Sequence, residues 1–210
     1  MTADEIEALF ARADGCYGFA RWRRPLAPVV FGVDDATLAT VKGAIAAVAA
    51  AARHPVVETD PEMGANLMVF FCRDWAELAG VPDLDRLVPG LAATGQRLER
   101  EGADQYWHYR FEADGAIRAC FAFFRMKGRA ADRAAGELAL ELAARASLLW
   151  ADGALGRLRA WQATPEGPVL SPDVAALIRA AYDPVLPDAA NDASHALRLA
   201  ARLAGGWRER

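Results

Sequence analysis

The feature that most constrains the fold is a pair of strand-like segments joined at Asp114-Gly115. The sequence QYWHYRFEADGAIRACFAFFRM, residues 105–126, is rich in aromatic and other strand-favouring side chains on both sides of this dipeptide. Asp-Gly can adopt the positive φ angles of a tight turn, so the pattern predicts a β-hairpin near 105–126.

The remaining elements follow from periodicity and from capping residues. Further strands are expected at 28–33, 56–59, 65–72 and 157–165. Helices are expected at 3–13, 35–54, 130–150, 171–183 and 189–204, with a polar helical insert over 73–101. The pattern predicts one α+β domain over residues 1–210. It would hold a mixed sheet of about four to six strands packed with helices and a helical C-terminal region at about 171–206.

Composition narrows the class of partner. The chain has 54% hydrophobic and 25% charged residues and a net charge of −4, a globular mixture that disfavours nucleic-acid binding. The basic cluster RWRR, residues 21–24, is expected to be solvated or paired with carboxylates. The longest apolar stretch, AIAAVAAAA, falls short of the ~20 residues of a membrane span, and the N-terminus lacks a signal pattern. A cytoplasmic protein without a membrane span is therefore expected.

The three cysteines point to a reduced chain. Cys16, Cys72 and Cys120 are odd in number, without C-x-x-C spacing, and the last two lie in strongly apolar runs. We expect buried free thiols, no disulfide and no thiolate metal site.

A row of charges marks the segment GELALELAARASLLWAD, residues 136–152. Glu137 and Glu141 lie between Arg133 and Arg145, and every step in the row is four residues. This spacing predicts a helix with Arg133–Glu137 and Glu141–Arg145 pairs along one side.

Two interpretations of this charged row stay open. Either the row is a solvent-exposed series of ion pairs, or it forms the charged wall of a groove. In the second case Leu140 and Leu148, on either side of the row, would bury its edges. The two carboxylates could act as general acid and base in the second case.

The histidines do not form a metal-binding pattern. His54, His108 and His195 are far apart, and no two are spaced four residues apart on a helix. We expect His54 to be a polar residue at a helix end, His108 a hydrogen-bonded residue of the sheet, and His195 solvent-facing. No metal or cofactor is predicted.

An aromatic face on the hairpin is a candidate for partner binding. Trp107, Tyr109 and Phe111 alternate along the first strand and so share one face. This face is our candidate partner patch.

Five stretches resemble an uncharacterised bacterial family, a domain of unknown function known mostly from secreted and lipoprotein-like members. They are FARWRRPLAPVVFG, GANLMVFFCRD, GELALELAARASLLWAD, LSPDVAALIRAAYDPVL and the helix that follows. The resemblance implies a fold like that of the zincin metallopeptidases. Family members usually carry a double glutamate and then a glutamine in the helix of the third stretch, where this chain has Gly136, Glu137 and Leu140.

The leading functional hypothesis is a non-catalytic, zincin-like binding or assembly module with a protein partner. The alternative is a hydrolase that uses Glu137 with Glu141 or Asp152. Its metal would be held by carboxylates and a distant histidine, His108 or His195.

Overall fold

The computed structural model describes residues 1–205, except for the side chain of Arg129, and it confirms an α+β domain with a mixed sheet of four strands. The strands are β1 (Phe19–Ala20), β2 (Pro28–Phe31), β3 (Leu67–Cys72), β4 (Gln105–Phe111), β5 (Ile117–Arg125), β6 (Trp161–Thr164), β7 (Gly167–Leu170) and β8 (Ala189–Ala190). The helices are α1 (Ala3–Ala8), α2 (Asp35–Ala52), α3 (Leu84–Leu87), α4 (Leu91–Glu101), α5 (Ala135–Ser147), α6 (Ala154–Leu158), α7 (Pro172–Ala181) and α8 (Ser194–Ala204).

The main sheet has the order β2-β3-β5-β4. Strands β2, β3 and β5 are parallel, and β4 pairs antiparallel with β5 at one edge. The predicted hairpin is confirmed, because β4 and β5 flank the turn at Gly115, whose φ is +90°. The small sheets β1-β8 and β6-β7 lie outside this frame.

Helices α2 and α5 cover one face of the sheet. The side chain of Asp34 caps α2 by accepting the Thr37 N–H at 2.7 Å, and the helix ends at Arg53 in the left-handed conformation. The predicted apolar face is confirmed at Val41, Ile45, Val48 and Ala52, which are buried, and Leu38 is half-buried. Helix α2 is long and apolar enough to cross a membrane, with a mean hydropathy of 1.3. The core helix of a soluble protein and a signal sequence meet the same two criteria.

The other face of the sheet is covered by the insert. Residues Trp75–Gly80 form a 3-10 helix, and α3 and α4 follow. The expectation of a polar helical insert was incomplete, because these short helices bury their own apolar cluster against alternate residues of β3 and β5. The buried members from the insert are Trp75, Leu78, Leu84, Val88, Leu91 and Leu98.

Other predicted elements shift or fail. The predicted strand at 56–59 forms only an isolated bridge, from Val56 to Leu26. The segment 157–165 holds β6 after the end of α6, and the loop expected next contains its partner β7. The predicted 130–150 helix is shorter, at Ala135–Ser147. The C-terminal region holds α7 and α8, but the predicted 189–204 helix begins only at Ser194, because Ala189–Ala190 form β8. Helix α8 ends at Ala204, and Gly206 lies outside the described residues.

The basic cluster is paired with carboxylates, as the sequence predicts. Arg21 reaches Asp188 at 2.8 Å, and Arg24 reaches Glu112 at 2.5 Å. Arg23 contacts Asp188 as well as Asp114 in the hairpin turn. These contacts tie the N-terminal segment to the β4–β5 turn.

The cysteines are free thiols in two different environments. Cys72 and Cys120 are buried as expected, but Cys16 is exposed because it lies in the tight turn before β1. Burial raises the pKa of Cys72 to about 11.

Candidate functional site: a groove between β4 and α5

Helix α5 is buried almost all round, apart from one charged strip. Within residues 138–147 only Glu141 and Arg145 are partly exposed. The buried residues of α5 are Leu138, Ala139, Leu140, Leu142, Ala143, Ala144, Ala146 and Ser147. Burial of Leu140 and Leu148 favours the groove-wall interpretation of the charged row over a solvent-exposed series of ion pairs.

The first turn of α5 is a packing surface for the β6–β7 hairpin. A Cβ added to Gly136 would lie 2.9 Å from Cγ of Pro168 in β7. Leu140, one turn further on the same side, is also buried. These two positions flank Glu137, and both are used for packing.

The predicted ion pairs Arg133–Glu137 and Glu141–Arg145 were wrong, because each arginine contacts a different carboxylate. Arg133 binds Glu141 at 2.5 Å instead of Glu137, because Arg133 precedes the helix and does not follow its four-residue spacing. Gln105 of β4 also donates to Glu141, at 3.5 Å. Glu137 is half-buried, and its side chain has no hydrogen bond or salt bridge within residues 1–205.

Arg145 lies over the edge strand. Its guanidinium carbon is 5.4 Å from the centroid of the Trp107 ring, a cation–π arrangement. Its Nη2 is 3.3 Å from Oδ1 of Asp152, so the predicted Glu141–Arg145 pair is replaced. Its Nε is buried and has no hydrogen-bond partner in the described chain.

The candidate partner patch forms the floor of this groove. The Trp107 and Tyr109 rings stack at 6.4 Å and pack against the main core. The Tyr109 hydroxyl donates to the Arg145 carbonyl at 3.1 Å, and burial raises the pKa of Tyr109 well above its ordinary value. Phe111 alone of the three is exposed, at 43%. Gln105 was not among the predicted site residues, and its only signal in the sequence is its place two residues before Trp107 on the same face.

The outer edge of β4 is open. The Arg125 N–H donates to the Asp104 carbonyl, so in this antiparallel pair the even-numbered residues of β4 face β5. The backbone groups of Gln105, Trp107 and Tyr109 therefore point away from β5. No acceptor for these three N–H groups is found in the part of the chain that the structure describes.

Pockets lie at both ends of this edge. Near Gln105 a pocket of about 160 Å³ is lined by Arg133 and Leu138 among others. Near Phe111 a pocket of about 320 Å³ is lined by Arg12 and Asp152 among others. We call the region bounded by the outer edge of β4 and the strip Glu141–Arg145–Asp152 the β4–α5 groove.

The histidines are dispersed. The expectation that His195 faces solvent was wrong: it is 0% exposed, because it shares the buried face of α8 with Leu199 one turn away. Its Nδ1 is 2.8 Å from the Tyr17 hydroxyl, its Nε2 has no partner among residues 1–205, and burial lowers its pKa to about 4. His54 lies just after α2, as expected, with Nε2 2.6 Å from the Arg24 carbonyl.

His108 lies on the insert side of β4. Its ring is 6.0 Å from Phe121, and the predicted hydrogen bond of this residue is not found among residues 1–205. Over the same residues, no group of three or more His, Cys, Asp or Glu is placed to hold a metal ion.

Comparison with known proteins gave no relatives: no family model, curated protein or solved structure matches this chain.

Proposed function

We propose that this protein is a non-catalytic, zincin-like binding module whose β4–α5 groove holds an extended segment of a partner protein. The observation that carries the proposal is the open edge of β4, where the outward N–H groups of Gln105, Trp107 and Tyr109 lack partners within residues 1–205. An extended peptide that pairs with such an edge gains main-chain hydrogen bonds, and adjacent pockets select its side chains.

The construction of α5 supports a binding role. A zinc peptidase helix presents two imidazoles one turn apart so that both reach one metal ion. Here Gly136 and Leu140 flank Glu137, and the first contacts Pro168 while the second is buried. On the zincin-like interpretation, packing residues occupy the two positions of α5 that would hold metal ligands.

The alternative hydrolase would need Glu137 to act with Glu141 or Asp152. Glu141 is bound by Arg133 at 2.5 Å, and Asp152 is bound by Arg145 at 3.3 Å. Both carboxylates are paired with arginines, which favours a binding role for the strip over an acid–base one. A cytoplasmic location remains part of the proposal.

The test is binding of a labelled, end-blocked hexapeptide of alternating valine and threonine with one central glutamine, followed by fluorescence anisotropy. Gln105→Pro removes one outward N–H at the first residue of an edge strand, where proline is tolerated. Gln105→Ala is the matched control, because it loses the side chain but keeps the N–H. We expect Gln105→Pro to weaken binding about fivefold and Gln105→Ala to weaken it much less. Absence of binding to the unmodified protein, or equal effects of both variants, would contradict the proposal.

A further inference from the structure

The cation in the middle of the β4–α5 groove is incompletely partnered. Arg145 has a side chain only 19% exposed, and its Nε has no hydrogen-bond partner in the described chain. Trp107 beneath it supplies a π face but no acceptor oxygen. Among the described residues, Nη2 of the same guanidinium contacts only the carboxylate of Asp152, so it can bind another planar anion in exchange for that carboxylate.

The one carboxylate on Arg145 is easily displaced. The Asp152 side chain is 96% exposed, and its Oδ1 lies 3.3 Å from Nη2 of Arg145. By comparison, the side chains of Arg133 and Glu141 are both 30% exposed, and Nη2 of Arg133 lies 2.5 Å from Oε2 of Glu141. An exposed single contact of this length is weak, since solvent screens it and the side chain gives up its freedom to hold it.

The surrounding charge also suits an anion. Arg12 lines the pocket next to Asp152, and its side chain has no salt bridge in the part of the chain described. Displacement of the Asp152 side chain would leave Arg12 and Arg145 as the cations at that end of the groove. The Asp114 carboxylate nearby is already bound by Arg23.

We propose that the segment bound in the groove is acidic, and that one of its carboxylates takes the place of Asp152 on Arg145. This inference rests on the proposed function and names the chemistry of the partner: an extended peptide with a glutamate or aspartate that lies over Trp107. Asp152 then acts as an internal competitor that occupies Arg145 in the absence of the partner.

The experiment compares two hexapeptides, the glutamine peptide above and its glutamate counterpart. We expect the unmodified protein to prefer the glutamate peptide roughly tenfold, as for a charge-assisted hydrogen bond. Asp152→Asn removes the competitor, so it should tighten the glutamate peptide about threefold and leave the glutamine peptide unchanged. Arg145→Gln should abolish the preference.

Arg97→Gln, on α4 across the sheet, is the matched control for loss of one arginine, and it should keep the preference. Equal binding of both peptides to the unmodified protein, or no effect of Asp152→Asn on the glutamate peptide, would overturn the acidic-partner inference. Neither result would contradict the proposed function, which is peptide binding along the open edge of β4. Failure of both peptides to bind would instead overturn the proposed function. Because Asp152 is exposed, its variant keeps the test decisive even if Arg145→Gln fails to fold.

Discussion

Gly136 lies directly beneath Pro168, so close that a Cβ on Gly136 would be 2.9 Å from Cγ of the proline ring. This contact seats the β6–β7 hairpin on the first turn of α5. It gives a physical reason for glycine at a helix position where glycine is otherwise unfavourable.

The contact predicts opposite effects of the same substitution at two helical glycines. Gly43 of α2 has open space where a Cβ would lie, so Gly43→Ala should raise the free energy of unfolding by about 0.5–1 kcal/mol. Gly136→Ala should lower it by about 1 kcal/mol, because the ring of Pro168 must move. Urea denaturation of both variants tests this, and equal stabilisation by the two would show that the hairpin does not press on α5.

His195 predicts a loss of stability in weak acid. Its pKa is about 4 in the folded chain against 6.5 ordinarily, because burial disfavours the charged form. The unfolded chain therefore binds the proton first, and the stabilisation is complete above pH 6.5 and declines as the pH falls towards 4. The expected contribution to this loss between pH 7 and pH 5 is about 2 kcal/mol.

His195→Asn separates this effect from the titration of carboxylates. The variant should be less stable at pH 7 but should lose about 2 kcal/mol less than the unmodified protein between pH 7 and pH 5. Parallel stability curves for the two proteins, measured by urea denaturation, would mean that His195 is not buried in its neutral form.

The two glutamates of α5 should differ in their effect on stability. Glu141 holds Arg133 and accepts from Gln105, so Glu141→Gln should cost about 1 kcal/mol. Glu137 has no such contacts within residues 1–205, and Glu137→Gln should change the free energy of unfolding by less than about 0.5 kcal/mol. A larger cost for Glu137→Gln, or loss of a measurable hydrolytic activity in that variant, would favour the alternative hydrolase.

Thiol labelling should distinguish one cysteine from the other two. Cys16 is exposed and should react within minutes in the native protein, whereas Cys72 and Cys120 should react only on unfolding. Burial also raises the pKa of both buried thiols. Intact mass after alkylation in denaturant, without reductant, should show three labels, and a species with only one label would reveal a disulfide.

Local signals in the sequence predicted those elements that depend on local chemistry. Asp114-Gly115 predicted the hairpin, and Ser171 followed by Pro172 predicted the start of α7, where the Ser171 side chain accepts the Val174 N–H. A strand was predicted at the position of β6, but its partner β7 was missed, because this short strand is stabilised partly by contact with α5, which no local pattern records.

The candidate site was predicted only in part. The charged row on α5 and the aromatic face of β4 were both identified, but their relationship depends on how the helix lies against the edge strand. Arg145 was expected to pair with Glu141, yet tertiary packing places it over Trp107. Sequence spacing fixes which side chains share a helix face, but not which of several partners from other elements they contact.

The most direct test of the proposed function is amide hydrogen exchange, followed residue by residue by NMR, with and without saturating glutamate peptide. We expect the N–H groups of Gln105, Trp107 and Tyr109 to become protected, since they point to the open edge. Those of Tyr106 and His108 already face β5 and should change little. Protection confined to another surface, or unchanged exchange at all three outward N–H groups, would contradict a partner segment bound along β4.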